Sequence, residues 1–255
     1  MRSIWSGAIS FGLIHIPVKL YSASQDQGIN FDYLRKQDLC RVQYARVCRS
    51  TGEEVPWKDT VKGYEYQKGD YVVLTDEDFK KASPKKTNTI DIADFADEDE
   101  IDPKFFEKPY YLEPEKKATK AYILLREALK RSKKVGIARF VLKSKEHMAV
   151  LKAEDNILVL NQMRFANEIR KPDELEVPNE DVNKRELDMA VKLIDQLTTH
   201  FKPEDYKDTY TKELQELIDQ KVKGEAPKVK KETQEPTEVK DLMESLRASL
   251  SQTRS

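Results

Sequence analysis

Residues 33–49 hold Arg35, Lys36, Arg41, Arg46 and Arg49 against a single acid, Asp38. Residues 116–152 hold twelve lysines and arginines against two acids, Glu127 and Glu146. Between these blocks, residues 90–115 hold ten acids and two lysines. The whole chain has a formal net charge of −1, so bulk attraction to a polyanion is excluded. Any such binding must rest on local segregation of charge. The chemistry open to such blocks is the gripping of phosphate. A DNA duplex presents one negative charge per roughly 1.7 Å of axis, and a basic face displaces its counterions. Arginine suits the task because its planar fork matches phosphate oxygens in pairs. Arg35, Lys36, Arg41, Arg46 and Arg49 are therefore the first candidate contacts. Lys120, Arg126, Lys130, Arg131, Lys133 and Lys134 are the second. A plain solvated helix face is the competing explanation for the latter. Few acids interleave with these cations at helical i,i+4 spacing, which favours an anionic partner. Neither a glycine-rich phosphate loop nor a single-strand stacking motif occurs, so the pattern fits contact with the nucleic-acid backbone rather than base reading.

The residue types needed for catalysis are present but scattered. His15, His147 and His200 lie far apart and form no metal-binding helix motif. No nucleophile motif accompanies them, and the chain does not read as an enzyme. The acidic run Asp97, Glu98, Asp99, Glu100 reads as surface rather than as a metal site. Cys40 and Cys48 are eight residues apart with no CxxC pair, so neither a zinc site nor any cofactor is expected. Two cysteines also make no disulfide framework, which points to a reducing compartment. The N-terminus is broken by Ser6, Gly7, Ser10, Gly12 and Pro17 and is not a signal peptide. No apolar stretch is long enough to span a membrane. No internal repeat is found.

The elements that must carry these residues follow from periodicity. Of 255 residues, 38% are hydrophobic and 36% charged, against typical values of about 45–50% and about 25%. Part of the chain is therefore expected outside a compact core. Ile9, Phe11 and Leu13 alternate on one parity, and Ile14, Ile16, Val18 and Leu20 on the other, which reads as strand. The flip at Leu13–Ile14 suggests a bulge, and Pro17 suggests an edge position. Further strands read at 71–74, 90–95, 109–112, 135–142, 148–151 and 157–160, consistent with an antiparallel barrel or sandwich. Thr75 and Asp78 form a capping box for a short helix. A helix over 119–131 would turn Ala121, Leu124, Leu125 and Ala128 inward. Asn183 and Glu186 can cap a helix carrying Leu187, Ala190, Ile194 and Leu197. A break at Lys202-Pro203 precedes a charged helix closed by Gly224. Residues 225–236, with two prolines, read as a linker. Val239, Leu242, Met243, Leu246 and Leu250 then fall at helical spacing on a helix too short to stand alone.

Six stretches in order resemble the bacterial Ku family. They are IWSGAISFGLIHIPVKLY (4–21), VKGYEYQKGDYVVLTDEDF (61–79), EIDPKFFEKPYYLEP (100–114), KAYILLREAL (120–129), VGIARFVL (135–142) and KDTYTKELQELIDQK (207–221). The resemblance implies a mixed β and α fold: a central antiparallel β-barrel over 1–182, with an arm over about 22–64 that bridges DNA. A helical arm over 183–224, a linker over 225–236 and a C-terminal docking helix over 237–255 follow. It also implies a homodimeric ring that threads onto double-stranded DNA ends without sequence preference, for repair by non-homologous end joining. Its C-terminal region would meet a multidomain ATP-dependent DNA ligase. The basic segment 116–152 would line the ring opening, and the acidic segment 90–115 would face outward. Two departures limit the carry-over. Where some relatives have a CxxC pair, this chain reads Cys48-Arg49-Ser50-Thr51, and residues 237–255 lack a lysine-rich tail. On the residues alone, two other functions stay open: a lyase acting on DNA ends through a lysine amine, and an adaptor whose basic segments bind acidic proteins.

Overall fold

The first alternating segment folds as a hairpin of β1 (Trp5–Phe11) and β2 (Ile14–Ser22), registered from Phe11↔Ile14 to Trp5↔Leu20. The parity change at Leu13–Ile14 is therefore a two-residue turn and not a bulge. Gly12 takes φ +58° there, a left-handed conformation that costs glycine little because it has no Cβ. In this computed structural model the described residues are 1–82, 88–143, 145–178 and 181–224, with Leu246 and Ser249 beyond them. They divide into two units, Met1–Lys171 and Pro172–Ser255.

The first unit is a closed barrel in the order β1-β2-β6-β9-β8-β7-β5. Its remaining strands are β5 (Thr89–Asp97), β6 (Phe106–Pro114), β7 (Lys134–Leu142), β8 (Lys145–Glu154) and β9 (Ile157–Met163). The expectation of an antiparallel barrel holds at every seam but one. β1 and β5 pair in parallel, from Ala8↔Thr89 to Ser10↔Asp91. A parallel pair needs a long crossover, and the chain between Ser22 and Thr89 supplies it. Closure leaves no edge strand, so Pro17 does not mark one. β2 is flanked by β1 and β6, and Pro17 sits where β6 has just ended. Its carbonyl accepts the Glu115 N–H at 3.0 Å, and the Glu115 carbonyl accepts from Ala118 N at 2.8 Å, so the donor that proline lacks leaves no acceptor unserved.

Ile9, Ile16, Val18, Leu20, Leu112 and Phe140 are among the side chains that fill the barrel. Helix α2 (Thr119–Ser132) packs on it through Tyr122, Leu125 and Leu129, all buried. Of the residues expected inward, Leu125 is buried and Ala121 packs against the core, whereas Ala128 is exposed and Leu124 is 67% exposed. The Tyr122 hydroxyl sets the rotation: it donates to Leu112 O at 2.7 Å and accepts from Leu158 N at 2.7 Å. Two buried backbone groups that face the helix are thereby satisfied.

Between β2 and β5 the chain makes a long excursion. It contains the hairpin β3 (Lys62–Gln67) and β4 (Asp70–Leu74), then α1 (Asp76–Ala82). Alternation alone had shown only the second strand of that hairpin. The capping box is present: Asp78 N donates to Thr75 Oγ1 at 3.3 Å, and Thr75 N to Asp78 Oδ2 at 2.9 Å. None of the described residues between Ser22 and Thr89 is buried.

The second unit holds α3 (Lys184–Leu197) and α4 (Thr209–Val222). Asn183 accepts from Arg185 N at 3.0 Å and Asp208 from Thr211 N at 2.9 Å, which caps each helix. Gly224, at φ +77°, follows the second. Leu187, Val191, Ile194 and Leu197 form an exposed apolar stripe on α3. The linker and Val239, Leu242, Met243 and Leu250 lie outside the described residues, while Leu246 is helical and half-buried. Among the described residues, no helix is long and apolar enough to cross a membrane.

Candidate nucleic-acid interface

The five cations of the first block all lie on the excursion, which from here is called the arm. They are not equivalent. Arg35 forms a two-pronged pair with Asp38, with Nε 2.9 Å from Oδ1 and a second contact from NH2 to Oδ2. The Arg35 guanidinium, and after it the Cys40 N–H, hold the Asp38 carboxyl below its ordinary range. Arg41 NH2 lies 2.7 Å from Asp32 Oδ1. The Arg46 guanidinium sits over the Trp57 ring, 4.5 Å from its centroid. Lys36 and Arg49 are exposed and make no ion pair among the described residues. Sequence reasoning missed the partners Asp32 and Trp57, since neither lies at a spacing that local periodicity reads.

The arm also contains a repeat that the sequence does not display. The Arg35 N–H donates to Cys40 O, and the Cys48 N–H to Glu53 O, both at 2.8 Å. Leu39 N donates to Arg35 O and Gly52 N to Cys48 O, both at 2.8 Å. Val42 N donates to Tyr33 O at 2.8 Å and Val55 N to Arg46 O at 2.7 Å. Leu34 bridges Arg41, and Val47 bridges Glu54. Leu39 and Gly52 both take left-handed backbones, at φ 55° and 77°. Cys40 N donates to Asp38 Oδ1 and Glu53 N to Thr51 Oγ1, both at 3.3 Å. Every pair is offset by thirteen positions. The sequence holds no repeat, but the backbone does: two successive turns share one design. Only Val42 and Val55 are identical residues in the aligned positions, which is why the repeat is silent in the sequence.

The second block lies on α2 and β7, and part of it is engaged within the barrel unit. The Arg126 side chain is only 16% exposed. Its NH1 donates to Asn156 O at 2.7 Å, and its NH2 lies 2.7 Å from Glu127 Oε1. Lys130 donates to Asp155 O. Lys134 lies 2.6 Å from Asp97. Lys120, Arg131 and Lys133 are exposed without an ion pair among the described residues. The acidic segment does not stand apart from the basic one. β5 and β7 are neighbours, with Asp91 opposite Arg139 and Asp97 opposite Lys134, and Lys152 reaches Glu98 at 2.9 Å. Charges separated in sequence are thus partly matched across the sheet.

Among the described residues, no group of three or more potential ligands is arranged to hold a metal. Cys40 and Cys48 are both free thiols. Hydrogen bonds from Ser50, then from Thr51 and the backbone of both, lower the Cys48 thiol to about 6. Its Sγ lies 3.2 Å from Ser50 Oγ. The sequence carried no signal for this acidity, because the donors are assembled by the turn.

The family model for the Ku70/Ku80 beta-barrel domain matches residues 10–189, from β1 into α3. The chain belongs to the Ku family. It is 45% identical to the non-homologous end joining protein Ku of Opitutus terrae, covering 99% of this chain and 92% of that one. It is 41% identical to the protein of the same name from Coxiella burnetii, covering 98% and 94%. The Bacillus subtilis protein is 40% identical, with 100% and 83% covered. The resemblance carried by the six stretches is thus a family relationship. The Ku match takes in the arm and both basic blocks.

Proposed function

We propose that this Ku-family chain acts as a homodimer that closes round double-stranded DNA ends, without sequence preference, in non-homologous end joining. One observation carries the reading: none of the described residues of the arm is buried, yet it combines five cations with many large apolar side chains. Tyr33, Tyr44, Trp57, Tyr64, Tyr71 and Val73 are each more than half exposed. Apolar surface on this scale is characteristic of a region that a partner covers. A second copy suits the apolar part, and a polyanion suits the cations. The relatives that carry this arm are named for end joining. Contacts to phosphate and sugar carry no sequence information, which accounts for binding at any end. The same reading makes the C-terminal segment the element that recruits a DNA ligase, through Leu246 and its apolar neighbours in sequence.

The test compares one duplex in linear and covalently closed circular form, by gel shift at about 150 mM salt, where screening is strong. A closed ring binds the linear form alone, and to the same extent for unrelated sequences. Equal binding to both forms would replace the ring by an open basic face. Absence of binding to either would move the acidic-protein adaptor to the front.

A further inference from the structure

The duplicated turn divides the cations of the arm into two kinds. In each copy the closing hydrogen bond runs from the fifth residue to the first, Leu39 to Arg35 and Gly52 to Cys48. Three residues are enclosed: Lys36, Gln37 and Asp38 in one turn, Arg49, Ser50 and Thr51 in the other. The last of each three bends its side-chain oxygen back onto the turn, to Cys40 N or Glu53 N. The first residue of the turn is also engaged within it. Arg35 is paired with Asp38, and Cys48 Sγ contacts Ser50. The second residue of the turn makes no such contact in either copy, and in both copies it is a cation.

We infer that Lys36 and Arg49 are two equivalent phosphate-gripping tips, presented by one turn design used twice, and that Arg35 and Arg41 serve the shape of the arm instead. The inference rests on the duplex-binding reading above and assigns the contacts within it. The physical reason is charge. A guanidinium already bonded to a carboxylate approaches a phosphate as part of a near-neutral pair, and the carboxylate repels the incoming oxygens. Lys36 and Arg49 meet it with their full charge and without breaking an existing bond. The two tips are unlike in residue type but alike in backbone position, as a contact to a uniformly charged backbone requires: it asks for a charge and not for a particular fork. The carboxylate nearest Arg49 in sequence, Glu53, is engaged by Thr51 Oγ1 at 3.3 Å.

Salt dependence tests this, because each lost phosphate contact lowers the slope of log affinity against log salt by about one unit. Full-length Lys36→Gln and Arg49→Gln should each lower the slope on a linear duplex by about one, and the double variant by about two. Lys36→Arg and Arg49→Lys should keep the parent slope, since the charge stays at the tip. Arg41→Gln should also keep it. Both tips make no ion pair among the described residues, so the folded state, checked by thermal unfolding, is expected to be unchanged. Parent-like slopes for both tip variants, with the parent protein binding linear duplex normally, would overturn the assignment of the tips alone. A slope loss at Arg41→Gln equal to that at Lys36→Gln would overturn the division of the cations. A parent protein that does not bind linear duplex would overturn the wider reading instead.

Discussion

Lys134 Nζ lies 2.6 Å from Asp97 Oδ2, and the two residues face each other directly across β7 and β5. In sequence they belong to the most basic and the most acidic segments of the chain. The barrel sets them side by side, so part of the charge that looked available for a polyanion is already matched. Both side chains remain about half exposed, at 44% and 51%. Water and salt then screen the pair, and a coupling of roughly 0.2–1 kcal/mol is expected from a double-mutant cycle of Lys134→Ala and Asp97→Ala. Urea unfolding midpoints of the four proteins check it. A coupling well above 1 kcal/mol would mean that the seam holds the barrel more firmly than an exposed pair can.

Tyr122 joins α2 to two strands through one hydroxyl. Tyr122→Phe keeps the ring in the core but leaves Leu112 O and Leu158 N without their partner. A loss of about 1–3 kcal/mol follows, the usual cost of stranding a buried polar group. Denaturant unfolding reads it, and a loss below about 0.5 kcal/mol would show that the backbone finds other partners.

Cys48 is expected to titrate at about 6 because Ser50 and Thr51 hydrogen-bond its thiolate. Alkylation of Cys48 by iodoacetamide, followed by peptide mass, should be half-maximal near that pH. Ser50→Ala should move the midpoint upward, since the Ser50 hydroxyl is the largest contributor. The sign for stability follows from the folded thiol being the more acidic. The thiolate contribution is lost as pH falls through about 6 and grows as pH rises towards the value of an ordinary thiol. An alkylation midpoint near 8.5, where a free cysteine titrates, would show that the turn does not hold the thiolate.

On the proposed reading the C-terminal segment recruits a ligase and takes no part in DNA binding, so the two activities should come apart there. Leu242→Asp together with Leu246→Asp replaces two of the apolar residues that the sequence spaces at helical intervals. Stimulation of end joining by a DNA ligase should be abolished, while the gel shift on linear duplex stays at the parent level. Loss of the gel shift in the same variant would mean that these residues support the folded chain rather than a partner.

Strand and helix positions were largely legible in the sequence because their causes are local. The alternation from Ile9 to Leu20 sets two strands whatever follows. The Thr75–Asp78 box, Asn183 and Gly224 act within one turn of their own residue. Family membership was legible for a related reason: six stretches keep their order and spacing over residues 4–221. What the sequence could not settle depends on contacts between distant segments. The parallel seam of β1 with β5 exists because the barrel closes, and nothing in either strand specifies it. The inward face of α2 was misread at Leu124 because the Tyr122 hydroxyl finds its partners on β6 and β9. Composition presented the cations as two uniform blocks. Tertiary structure divided them, pairing Arg35, Arg41, Arg126 and Lys134 with nearby carboxylates while Lys36 and Arg49 stand at the tips of a repeated turn. That repeat is written in backbone hydrogen bonds, which many side chains permit, and so it left almost no trace in the residues themselves.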